Sequence, residues 1–99
     1  MKTTIESHHF TADSKLTDFI EQKMEKLEKY SDQIQSSDVK LKLENTGQIK
    51  DKVVEVIMHI PGTTLFAKET DKTFETAVDQ CVDALKRQII KYKERLRAH

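Results

Sequence analysis

Metal binding, nucleophilic attack and proton transfer need histidine, cysteine or carboxylate side chains brought together, and this sequence offers few at useful spacing. His8-His9 is the only histidine pair, and adjacent residues on a strand point to opposite faces, so the two rings are poorly placed to share one metal ion. His59 falls in a strand-like run and His99 at the terminus, each without a partner in sequence. Cys81 lies between Val78 and Leu85 on an apolar helical stripe, where a buried thiol is inert core. The carboxylates recur at helix-surface spacing, without the burial that would tune one as a general acid. Two glycines cannot build a Gly-rich phosphate loop. No catalytic residue, metal site or cofactor is expected, and the chain does not read as an enzyme.

What remains is charge. Lys and Arg number 17 and Asp and Glu 17, so the whole chain is formally neutral. The distribution is not even: Met1 to Val82 carries 11 basic and 15 acidic residues, whereas Asp83 to His99 carries 6 basic and 2 acidic. A basic terminal element on an acidic body suggests a polyanionic partner. Arg87, Lys91 and Arg95 recur every four residues along one helical edge, and Lys86, Lys93 and Arg97 line the other. In the earlier helix Lys15, Lys26 and Lys29 share one flank, and Asp18, Glu21, Glu25 and Glu28 share the opposite one. Lys23 falls inside the apolar stripe between Phe19 and Leu27, where its stem can pack while its ammonium reaches the basic edge. If the two helices lie side by side, one basic ridge adjoins the Lys26 edge and makes a groove for phosphates. The aromatic residues are scattered and mostly core-like, which favours recognition of backbone charge and RNA shape over base stacking.

These helices need a frame. Thr3 and Ile5 alternate with polar neighbours as a short first strand. Leu16, Phe19, Ile20, Met24, Leu27 and Tyr30 follow three-and-four spacing for an amphipathic helix, capped by Asp13 or Ser14. Ser31 to Ser37 ends it. Val39, Leu41 and Leu43 alternate as a half-buried strand, Asn45-Thr46-Gly47 turns the chain, and Val53 to Ile60 is a β-branched strand with Glu55 and His59 on one face. Pro61-Gly62 stops that strand, Thr63 to Lys68 returns as a hairpin, and a long helix from about Asp71 to Leu96 buries Phe74, Ala77, Val78, Cys81, Val82, Leu85, Ile89, Tyr92 and Leu96. The order βαβββα predicts an α+β two-layer sandwich, a four-stranded antiparallel-rich sheet with both helices on one face. Residues 1–99 are expected to form one domain, monomeric when free. A lone cysteine, no signal peptide and no run near the ~20 apolar residues of a membrane span imply a reducing, cytoplasmic setting.

Three segments resemble the ribosome hibernation promoting factors, also described as ribosome-associated inhibitors or sigma-54 modulation proteins. Lys23-Met24-Glu25-Lys26-Leu27-Glu28-Lys29-Tyr30 is similar to the close of that family's first helix. Asp83 to Lys93, with Arg87-Gln88-Ile89 and Lys91-Tyr92-Lys93, is similar to its last helix, and Ile60-Pro61-Gly62 falls at its hairpin turn. The resemblance implies a βαβββα fold whose basic helices enter the channel of the small ribosomal subunit where messenger and transfer RNA lie, blocking translation in starvation or stationary phase. It carries RNA contact onto Lys23, Lys26, Lys29, Arg87, Lys91 and Lys93, to which the charge pattern adds Lys86 and Arg95. Ala84 and Glu75 depart from the family pattern, where lysine and an aromatic are common. The short length is that of the family's short form, which in some bacteria works with a separate small ribosome-dimerising factor. Two other readings fit the residues: a general module for structured or double-stranded RNA, and a protein-interaction domain using a sheet edge or the exposed Ile90.

Overall fold

Alternating and three-and-four hydrophobic periods each find their element in a computed structural model that describes residues 1–44, 47 and 49–97. The elements are β1 (Lys2–His8), α1 (Ser14–Lys26) continued by a 3₁₀ turn (Leu27–Lys29), β2 (Ser36–Leu43), β3 (Lys52–Ile60), β4 (Thr63–Asp71) and α2 (Phe74–Arg97). The sheet order is β1-β2-β3-β4, with β1 parallel to β2 and the other two pairings antiparallel. The βαβββα sandwich expected from the sequence is therefore present. Asn45 and Thr46 of the expected turn, and His99, lie outside the described residues.

Register explains the layering. Val39 pairs with Val56 and Leu41 with Val54, while Val56 faces Ala67 and Met58 faces Leu65. These side chains share one face and are buried with Ile20, Met24 and Leu27 of the first helical segment and Phe74, Val78, Cys81, Leu85 and Ile89 of α2. Both helices thus cover one face. The opposite face is polar, with His59 3.0 Å from Asp38 and Glu55 held between Lys42 and Lys68. Val53 is the exception there, buried on the polar side between its register partners Lys42 and Thr70.

Several boundaries move for local reasons. Asp13, not Ser14, caps α1: its carboxylate accepts from the Leu16 N–H at 2.9 Å. The helix tightens into the 3₁₀ turn at Leu27 and ends at Tyr30, whose N–H donates to the Leu27 carbonyl at 3.0 Å. α2 begins three residues later than expected because Thr73 accepts from the Thr76 N–H at 3.1 Å and serves as cap. β4 runs on to Asp71, beyond Lys68. His9 lies past the end of β1 with φ 67°, so the alternation argument for the histidine pair does not reach it. Gly62 has φ 85°, and a Cβ there would stand 3.2 Å from the Tyr92 hydroxyl that donates to the Pro61 carbonyl. The hairpin turn is thereby docked against α2.

Candidate nucleic-acid interface

The groove between the helices is built by contacts that fix their relative direction. Lys23 lies 3.1 Å from Asp79, and further along both elements the Lys86 ammonium stands 5.2 Å over the Tyr30 ring while Lys93 donates to the Tyr30 carbonyl at 2.8 Å. Partners advance together from 23 to 30 and from 79 to 93, so the two helices are parallel. Their basic C-terminal ends therefore converge at one end of the molecule. Each helix also presents a partial negative charge at that end, which nearby cations offset.

The eight cations expected to contact RNA fall into three pairs, with Arg87 and Lys23 apart. Lys26 and Lys29 are exposed on the first helical segment and, among the described residues, make no ion pair. Lys86 and Lys93 flank Tyr30 on the α1 side of α2, so this ridge, and not the Arg87 ridge, adjoins the Lys26 edge. Lys91 and Arg95 sit on the other side of α2, where a cleft of about 200 Å³ is lined by Thr63, Thr64 and Gln88. Arg87 is exposed between the two flanks. Lys23 differs from all of these: its side chain is 28% exposed, pairs with Asp79 and stands 5.3 Å from the Phe19 ring centroid. Its stem packs as expected, and its ammonium is paired at the surface with the half-exposed Asp79.

The acidic edge of the first helical segment points away, as its Glu28 accepts the Met1 ammonium at 3.1 Å. A second cleft, of about 210 Å³, opens beside the groove between Tyr30, Ile90, Lys93 and Arg97. Ile90 is 39% exposed, as its place on the polar side implied. Leu96, and one of the scattered aromatics, lie outside the core. Leu96 is 60% exposed because the last turns of α2 project past the sheet, and Phe66 is 51% exposed on the polar sheet face. Tyr30 and Asp79 organise the groove; Tyr30 stood out in the sequence as the last residue of the apolar stripe and of the family-like segment, whereas Asp79 had no signal beyond a helical position.

Cys81 is fully buried, its Sγ 3.5 Å from the Val54 carbonyl, and burial pushes its thiol pKa up to about 12. Among the described residues no group of three or more His, Cys, Asp or Glu is placed to hold a metal ion. Among them, too, no helix is long and apolar enough to cross a membrane.

A family model described as Sigma 54 modulation protein / S30EA ribosomal protein matches residues 3–97, which includes every strand but Lys2 and both helices. The chain belongs to this family. A "Ribosome hibernation promoting factor" of Azotobacter vinelandii is 32% identical over 95 residues, covering 96% of this chain and 85% of that one. Another of that name, from Klebsiella oxytoca, is 30% identical over 99 residues and 100% of both chains. The fold recurs in a ribosomal subunit interface protein from Coxiella burnetii, with TM-score 0.84, 21% identity and coverage of 95% of this chain and 99% of that one. It recurs also in the N-terminal domain of Thermus thermophilus Protein Y, with TM-score 0.81, 25% identity and coverage of 93% and 99%. Both structures share the fold whose two-helix layer carries the converging cations here.

Proposed function

We propose that this protein binds the small ribosomal subunit through its RNA, occupies the channel of messenger and transfer RNA, and holds ribosomes in hibernation in starvation or stationary phase. The observation that carries this reading is the convergence of Lys26, Lys29, Lys86 and Lys93 at one end of two parallel helices. Clustered exposed cations gain affinity for RNA by releasing its condensed counterions. The names of the relatives supply the ribosome as the RNA's source. The role is regulatory and non-catalytic, carried by one cytoplasmic domain that is monomeric when free.

The test is cosedimentation with ribosomes in sucrose gradients at low and high salt, with messenger and transfer RNA as competitors. Binding is expected at low salt and is lost to salt and to both competitors. Reversing charge at Lys26, Arg87 and Lys91 together abolishes cosedimentation while circular dichroism stays unchanged. Displacement by an unrelated RNA duplex at similar concentration would instead indicate a general structured-RNA module.

A further inference from the structure

We propose that α2 seats as a ridge between two RNA backbones, one held by Lys26, Lys29 and Lys86 on the α1 side and the other by Lys91 and Arg95 on the β4 side. This inference rests on the RNA-binding reading and deepens it. Two clefts flank the second half of α2: one opens against Tyr30 on the α1 side, and the other against Thr63 and Thr64 of β4. The β4-side cleft has Lys91 and Arg95 at its rim and a threonine wall opposite, whereas the α1-side cleft holds Lys93 and Arg97 against Tyr30, with Lys86 over the same ring. The Thr64 hydroxyl beside Lys91 and Arg95 supplies a neutral donor of the kind that commonly accompanies lysine and arginine at phosphate oxygens, while the Thr63 hydroxyl donates to the Thr64 carbonyl at 3.4 Å.

The crest between the flanks argues against a single backbone crossing over the helix. Asp83, Ile90 and Glu94 are exposed there, with Arg87 the one cation among them. A phosphate chain passing from the Lys86 side to the Lys91 side would meet two carboxylates and an apolar side chain. A backbone running along the β4 flank meets none of that barrier, and one along the α1 flank meets Ile90 and Glu94 only at the outer edge of its cleft. With its side chains a helix is about 10–12 Å across, close to the Debye length of about 8–10 Å at ordinary salt. The two flanks therefore act as nearly independent electrostatic tracks.

The decisive experiment is hydroxyl-radical footprinting of the RNA in purified small ribosomal subunits, with salt titrations of binding alongside. The variants are Lys26→Gln with Lys29→Gln, and Lys91→Gln with Arg95→Gln, all four being exposed side chains without an ion-pair partner among the described residues. The unaltered protein is expected to protect two separate tracts. The first variant loses one tract and the second loses the other, and each lowers the slope of log K against log salt by about 2. Loss of the same tract by both variants would overturn the two-track inference and leave ribosome binding standing. An intact footprint and slope with the Lys91 and Arg95 variant would also overturn it. Absence of any protection by the unaltered protein would instead remove the ribosomal reading itself.

Discussion

Lys23 shows how a residue can match a sequence pattern and still have different surroundings. Its position put it with Lys26 and Lys29, but its contact with Asp79 comes from the other helix, more than fifty positions away, and no local period encodes that. Neutralised by Asp79 and only partly exposed, it has little charge left for phosphate. Lys23→Met is expected to lower the salt slope of ribosome binding by well under 1, whereas Lys29→Met lowers it by about 1; equal slopes for the two would remove this distinction. Cys81 behaves as its apolar stripe implied, and its pH response follows from burial. The folded thiol holds its proton up to about pH 12, against an ordinary value of 9.0, with burial the main cause. Between those values the unfolded chain releases its proton first, so the thiol's contribution to stability is present below about pH 9 and is lost as pH rises toward about 12. Urea unfolding of the parent chain and of Cys81→Ala should therefore show the stability gap between them narrowing from pH 8 to pH 10. A thiol reagent at pH 8 should modify Cys81 only as fast as the chain unfolds, and rapid labelling of the folded protein would contradict its placement.

Helix and strand identity was legible because each element buries one face and keeps its period over several turns or pairs. Val39 and Leu41, then Val54, Val56 and Met58, announce strands; Ile20, Met24 and Leu27 announce a helix. Features that depend on how elements meet were not legible. Spacing left open which ridge of α2 meets the first helix, and the contacts of Tyr30 select Lys86 and Lys93 to face α1. The exposure of Phe66 was equally hidden, since it follows from the pleat of β4 at the sheet edge. Gln88 gives that edge a further property: its side chain donates to the Phe66 carbonyl at 2.7 Å and accepts from the Phe66 N–H at 3.3 Å. Both outward backbone groups of Phe66 are thus occupied by an internal stand-in for a neighbouring strand. Gln88→Ala should free them beside an exposed aromatic ring, the kind of edge that recruits another strand. Concentration-dependent dimers in size-exclusion chromatography with light scattering are expected for that variant, and a monomer at all concentrations would show that the edge is guarded by other means.

At the scale of the whole molecule, the groove joins two halves with different connections to the sheet. β2, β3 and β4 form an antiparallel meander, in which β3 and β4 are joined by the tight turn at Pro61-Gly62. β1 pairs in parallel with β2 only after α1 has intervened, so that Thr3 and Ser37, 34 positions apart, meet side by side. Closing that longer loop costs more chain entropy than closing a hairpin. The β1–α1 half should therefore open as a unit before the meander and α2 do, and its amides should exchange hydrogen sooner than those of β3. Such an opening would carry Lys26 and Lys29 away from Lys86 and dismantle the cationic groove without global unfolding. An RNA that bridges the groove must then hold the two halves closed, so binding should slow hydrogen exchange in β1, a strand that contributes no cation to the groove.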